Sequence, residues 1–183
     1  MSPFSRPRVP CVAQTDQMSE QIELSFDIEA TTEVDASPDE VYRVVSDITR
    51  MGEWSPECTG GEWLRGQPGA AGSRFHGHNR AGGETWTTEC EVVAAVPGRE
   101  FAWAVLTYAR SPEVSVWSFA IEPDGDGCVL TQRYRMQEPP ARFASFMRGM
   151  DADQAAALGA KRRAMLEDAM SRTVAGIKAA VED

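Results

Sequence analysis

A change of period at Pro139-Pro140 constrains this chain more than any other feature. Before that pair, short runs alternate apolar and polar residues, the period of a strand with one buried face. After it, apolar residues recur every three or four positions, the period of a helix. The alternating or β-branched runs are Glu62–Arg65, Ser73–Arg80, Thr85–Val96, Arg99–Thr107, Glu113–Glu122 and Cys128–Gln137. Between them lie Gly66–Gly72, Ala81-Gly82-Gly83, Pro97-Gly98, Ser111-Pro112 and Asp124-Gly125-Asp126-Gly127. These are hairpin turns, with glycine supplying the positive φ that other residues resist. The pattern predicts an antiparallel meander.

The segment after the prolines predicts one helix, capped by Asp151 or Asp153 and running to about Val181. Leu158, Met165, Leu166, Ala169, Thr173, Ile177 and Val181 form its apolar stripe. Arg162, Arg163, Glu167, Asp168, Arg172 and Lys178 lie largely off it. A helix this long, against a typical ~11–12 residues, needs a broad surface to lie on, and the meander supplies one. At the other end, Glu23–Val34 alternates like a strand. Ser37-Pro38-Asp39-Glu40 then reads as an N-cap, a first-turn proline and a capping box. A helix follows through Val41, Val44, Val45 and Ile48, and a second helical turn over Thr49–Trp54 stops at Pro56.

Charge and cysteine usage narrow the function classes. Eighteen Lys and Arg against 28 Asp and Glu leave a net charge of −10. Such a chain lacks the basic footprint of a nucleic-acid binder and is repelled by anionic lipid surfaces. No apolar run reaches the ~20 residues a membrane span requires. Cys11, Cys58, Cys90 and Cys128 stand singly, with no CxxC pair for zinc or disulfide exchange. Free thiols fit a reducing, cytoplasmic setting. Pro3, Pro7 and Pro10 break up a start that has no apolar signal region, so residues 1–22 are expected as a disordered tail before one domain, 23–183.

The ordered set of short motifs resembles the SRPBCC (START-like, Bet v 1-like) superfamily, and within it the bacterial polyketide cyclase/dehydrase and lipid-transport-like group. The match rests on Ala36-Ser37-Pro38-Asp39-Glu40-Val41-Tyr42, Asp47-Ile48, and Met51-Gly52-Glu53-Trp54-Ser55-Pro56. It continues with Gly72-Ser73-Arg74-Phe75, Trp117-Ser118-Phe119 and Gly127-Cys128-Val129-Leu130-Thr131. The resemblance implies an α+β helix-grip fold. In it, a curved antiparallel sheet of about six to seven strands wraps around a long C-terminal helix, with two short helices after the first strand. It further implies a cavity between sheet and helix for a small hydrophobic, lipid-like or polyketide-like molecule, with no cofactor. Because the superfamily hosts several functions, an aromatase/cyclase-like enzyme and a protein-interaction module stand as alternatives. Oligomeric state, monomer or dimer, is left open.

Alternation proposes the residues that line such a cavity. Phe75 and Asn79 share a face, opposite His76 and His78; Trp86 falls with Thr88, Cys90 and Val92; Trp103 with Phe101 and Val105; Trp117 with Phe119; Tyr134 with Met136. Each aromatic can equally be plain core. Ala169 and Met165 on the long helix complete the candidate wall, while Phe143 and Met147 after the proline pair suit either a lid or a packed connection. His76 and His78 point the same way, yet no third ligand has metal spacing, so no metal site is expected. Asn79 and Tyr134 are the candidates for polar chemistry. Arg133 and Arg135 take the opposite parity to Tyr134 and should face away from it. A cavity with an inward Arg–Tyr or Asn–Tyr pair would favour the enzyme; a filled core with an exposed apolar patch would favour the interaction module.

Overall fold

The computed structural model describes residues 25–106, 115–138 and 147–183; the expected tail, 1–22, and Phe143 lie outside the described residues. Within them run β1 (Phe26–Val34), α1 (Pro38–Val45), a 3-10 helix (Ile48–Glu53), β2 (Cys58–Arg65), β3 (Arg74–Ala81), β4 (Glu84–Val96), β5 (Glu100–Val105), β6 (Ser115–Asp124), β7 (Gly127–Met136) and α2 (Ala152–Glu182). The strands form one antiparallel sheet in the order β1-β7-β6-β5-β4-β3-β2, so the first strand closes onto the last. A register shift between Val92 and Ala94 in the β4–β5 pair is a bulge of the kind that increases twist and bends a sheet. This is the expected helix-grip architecture, α2 lying along the inner face of the sheet.

Local chemistry explains the element ends. The Ser37 hydroxyl accepts from Glu40 N at 3.4 Å while the Glu40 carboxylate accepts from Ser37 N at 3.0 Å, a reciprocal capping box with Pro38 at the first turn. Asp151 and Gln154 make the same exchange at 2.8 and 3.2 Å, so Asp151 rather than Asp153 caps α2. Strand β2 begins at Cys58, four positions before the alternation at Glu62, because Gly60 and Gly61 have no side chains to alternate. Those glycines let the 3-10 helix settle on the strand. A Cβ on Gly61 would stand 2.6 Å from the His76 carbonyl oxygen and 2.9 Å from Ile48 Cδ1.

The two ends of α2 are held differently. Near its C-terminus, Lys178 Nζ donates to the Glu33 carbonyl at 2.7 Å and the Glu182 carboxylate accepts from Asp35 N at 2.7 Å. Gly176 presents a bare helix surface to Trp54, where a Cβ would lie 2.6 Å from the Trp54 Cβ. This end of the sandwich is solid: Val41 and Val45 of α1, Phe101, Phe119, Ile121, Leu130 and Ile177 are all essentially inaccessible. Burying each such side chain contributes ~1.5–3 kcal/mol, so this region anchors the fold. Toward its N-terminus α2 is tied instead by an ion pair from Arg162 to Glu57, just before β2.

The outer face of the sheet carries the charges. Arg133 pairs with Glu29 at 2.6 Å and Arg74 with Glu89 and Glu91 at 2.8 Å each, and Arg135 lies 3.8 Å from Asp27. Arg133 and Arg135 thus face away from Tyr134, as their parity requires. His76 and His78 are also on this face, His76 Nδ1 at 3.2 Å from Glu62 and His78 Nδ1 at 3.2 Å from the Thr87 hydroxyl.

Candidate functional site

Following each inner-face strand from the solid end, side chains change at one level from facing packed core to lining a cavity. On β7 the change falls between Leu130 and Gln132, on β6 between Phe119 and Trp117, on β5 between Phe101 and Trp103, and on β4 between Val92 and Cys90. On α2 it falls between Val174 and Thr173. Beyond this floor lies a cavity of about 590 Å³, within the size range of small-molecule sites. Exposed Glu84 and Thr85 at the β3–β4 turn belong to its wall and mark a side open to solvent.

The sheet side of the wall is a band of rings held in register by cross-strand pairing. Trp103 sits opposite Trp117, and Trp117 opposite Tyr134. Trp103 and Trp117 are stacked at 6.5 Å and 12°, Trp117 and Tyr134 at 4.1 Å and 19°. Phe75 joins at 6.2 Å from Trp103, and Phe26 at 6.3 Å from Tyr134. Aromatic pairs at such separations add ~0.5–1.5 kcal/mol beyond area burial, so the band is a stiff wall. The helix side is softer: Leu166, Ala169 and Met170 face the rings. A small alanine and a flexible thioether there leave room and adaptability.

Polar side chains interrupt this mostly apolar wall, among them Thr88, Ser115, Gln132 and Thr173. Arg162 donates two hydrogen bonds to Glu57, at 2.6 and 2.7 Å, a bidentate pair with both side chains mostly buried. Burial alone would push the Arg162 guanidinium toward losing its proton, but the Glu57 hydrogen bonds and charge outweigh it and hold it firmly cationic. Tyr134 is raised above the ordinary phenol value by burial, against the opposing Ser115 hydrogen bond and Arg162 charge, so it stays protonated at neutral pH. Asn79 is occupied locally, its Nδ2 donating to the Gly77 carbonyl at 3.2 Å. The Cys90 thiol is pushed up to about 12 by burial, and burial likewise raises Cys58. Neither is a thiolate nucleophile near neutrality. Among the described residues no cluster of three or more His, Cys, Asp or Glu is arranged to hold a metal ion.

Of the residues proposed from alternation, Phe75, Asn79, Trp86, Trp103, Trp117, Tyr134, Met136 and Ala169 meet around the cavity. Three stand elsewhere. Phe119 is 0% exposed but lies one row below the floor, packed in the solid end. Met165 is 44% exposed, because it precedes Leu166 by one position and so points about 100° around the helix from it. Met147 is buried but is not part of the wall. The inward stripe of α2 runs Ala155, Gly159, Arg162, Leu166, Met170, Thr173, Ile177 at steps of three and four. Arg162 belongs to that stripe, contrary to the expectation that charge keeps it off, and Glu57 and Gln132 were likewise not singled out. The step from Gly159 to Leu166 passes through position 162, which is the signal that reveals it.

A helix-grip sheet with an aromatic-walled hollow under its long helix matches a known family model. The model described as polyketide cyclase / dehydrase and lipid transport matches residues 25–182. The chain belongs to this family. The polyketide cyclase-like protein Cgl2372 of Corynebacterium glutamicum is 31% identical, with 86% of this chain and 92% of that one covered and a TM-score of 0.61. The fold alone is shared with StfQ, a di-domain aromatase/cyclase of the steffimycin biosynthetic pathway, at 18% identity and a TM-score of 0.68; 89% of this chain covers 52% of StfQ, about half its length. It is also shared with major latex-like protein 151 of Panax ginseng, at 13% identity, TM-score 0.57, and coverage of 85% and 97%. No curated protein sequence matches the chain. No helix among the described residues is long and apolar enough to cross a membrane.

Proposed function

We propose that the protein binds one small, largely apolar molecule, polyketide-like or lipid-like, in the cavity between the aromatic band and α2, without covalent chemistry. The observation that carries this reading is the abrupt change from packed core to hollow within the same strands. Protein interiors close to crystal density unless something keeps them open, and a stacked Trp103–Trp117–Tyr134 wall opposed by Ala169 keeps this one open. Burial of apolar ligand surface at ~25 cal/mol per Å² drives binding, and the polar groups on the wall set orientation.

A second reading has its own support. The cavity holds an inward guanidinium, Arg162, whose charge acts on Tyr134, a phenol that keeps its proton at neutral pH. Such a pair can donate to a developing enolate oxygen, which favours an aromatase/cyclase-like catalyst over a passive carrier. Against it, Glu57 engages Arg162 on two nitrogens and neutralises its charge. Binding is the reading common to both.

The test is native mass spectrometry of the purified protein, followed by denaturing extraction and identification of any released mass. A one-to-one apolar adduct that is lost in Trp103→Ala supports the binding reading. A bare mass, with no thermal shift across a panel of lipids and polyphenols, overturns it. Conversion of a bound polyketide chain by wild type but not by Tyr134→Phe, with binding retained, selects the catalyst.

A further inference from the structure

Among the described residues that line the cavity, the only formal charges belong to Glu57, Arg162 and Glu84. Glu84 is exposed at the open side. The other two are locked together, Arg162 Nη1 and Nη2 donating to the two Glu57 carboxylate oxygens at 2.6 and 2.7 Å. Their side chains line the cavity and keep 26% and 20% of their surface accessible, so the pair is within reach of a bound molecule. The other polar groups of the wall are neutral. Asn79 Nδ2 and the Thr88 hydroxyl both donate to the Gly77 carbonyl, at 3.2 and 3.4 Å, and Ser115 hydrogen-bonds Tyr134. Cys90 lies 3.6 Å from the Thr88 hydroxyl with its thiol protonated, and burial shuts Gln132 Oε1 off from the space. Arg163, the next basic residue on α2, is not on the wall: its guanidinium lies 5.4 Å over the Phe26 ring and 3.8 Å from Glu167.

A guanidinium beside an apolar hollow is the ordinary seat for a ligand carboxylate, because its planar fork matches the two oxygens. Here the chain places its own carboxylate in that seat. Glu57 takes one N–H on each Nη nitrogen, which leaves donors that can still meet a neutral oxygen. A second carboxylate at those donors would set two anions against one guanidinium, in a space walled mostly by rings and aliphatic groups. Like charges repel strongly there, and stripping water from the incoming anion is costly. Glu84 at the open side and the net charge of −10 add to the repulsion. A carbonyl or hydroxyl oxygen meets no such opposition.

Resting on the binding reading above, we infer that the cavity selects an uncharged ligand over the carboxylate of the same skeleton, and that Glu57 sets this preference by occupying Arg162. The ligand class narrows to neutral ketones, alcohols, phenols and esters, and free fatty acids fall outside it while Glu57 is ionised. Taking the charge from Glu57 reverses the preference, because the freed guanidinium then pairs with a ligand carboxylate.

The experiment compares 2-naphthamide with 2-naphthoate, matched in shape and different in charge at neutral pH, by calorimetric titration of wild type and Glu57→Gln. Wild type is expected to bind the amide at least about tenfold more tightly than the acid. Dividing the amide-to-acid affinity ratio in wild type by that in the variant removes the intrinsic difference between the probes. The expected quotient is again about tenfold or more, the scale of a hydrogen bond between charged groups. Glu84→Gln takes one negative charge from the wall without breaking the pair, and its quotient should stay within about threefold. Wild type that binds the acid as tightly as the amide, or a Glu57→Gln quotient no larger than that of Glu84→Gln, overturns the role of Glu57 and leaves the cavity reading standing. Absence of saturable binding of either probe to wild type overturns both. Glu57→Ala replaces the glutamine variant should that one fail to fold.

Discussion

The two halves of the inner sheet face are built from the same strands and end in opposite results. In the lower half, Phe101, Phe119, Ile121 and Leu130 are sealed by Val41, Val45 and Ile177. In the upper half, Trp86, Trp103 and Trp117, two or more residues along the same strands, are only partly buried and border a 590 Å³ hollow. The difference lies in what covers them. Short α1 and the close Trp54–Gly176 approach press the C-terminal part of α2 onto the lower half. Farther up, α2 is held by the Arg162–Glu57 bridge, whose long side chains keep the helix away from the rings. One helix thus clamps a core and spans a cavity.

Truncation breaks the comparison most forcefully. Phe119→Ala leaves a void in a closed core and should cost about 3–5 kcal/mol in urea unfolding. Trp103→Ala removes a larger side chain that already borders open space, and about 1–3 kcal/mol is expected. Equal losses would mean that the upper half is packed in solution. Adding volume sharpens the contrast: Val45→Phe should cost about 1–3 kcal/mol by overpacking, whereas Ala169→Phe extends into the hollow and should shift stability by less than about 0.5 kcal/mol.

Next in size is the bridge. Glu57→Gln leaves Arg162 charged beside the cavity, and a loss of about 1–2 kcal/mol is expected, between the values for exposed and fully buried pairs. The same variant should widen or collapse the upper half without loosening the lower, visible as faster amide exchange in the first turns of α2 but not near Ile177. Cys90 gives a pH signature on the hollow side. Its native thiol holds its proton up to about 12, whereas an unfolded thiol, near 9.0, releases it earlier. Between those values the unfolded state binds fewer protons, so stability falls as pH rises through that window, and Cys90→Ala should flatten the fall. The smallest effect belongs to the outer face: Glu29→Gln, which breaks an exposed pair with Arg133, should change stability by under about 1 kcal/mol.

Alternation and helical spacing made most of this architecture legible, since each strand between Ser73 and Gln137 and the capped α2 follow directly from side-chain period and turn residues. Which residues of a strand share a face was legible too, but not which face lines the cavity; the fold is what brings Trp86, Trp103, Trp117 and Tyr134 around one space. Nor was depth legible. Period tells which residues share a face, but Phe119 and Trp117 share one, and only the placement of α1 and α2 over them decides which is core and which is wall. Arg162 and Gln132 were hidden for a related reason: a charged or amide side chain in an inward register reads as a surface residue until the hollow it faces is known. Met165 shows the limit of helical spacing, where a shift of one position exchanges cavity for solvent.

The most direct test of a ligand site in the upper half is a fluorescence titration of wild type and Ala169→Phe with 2-naphthol, alongside their melting temperatures. A molecule seated against Trp103 and Trp117 gives saturable one-to-one quenching in wild type. In the filled variant its affinity falls at least about tenfold while the melting temperature stays within a few degrees. Equal binding by both proteins would place the molecule elsewhere and contradict the assignment of the hollow half as the site.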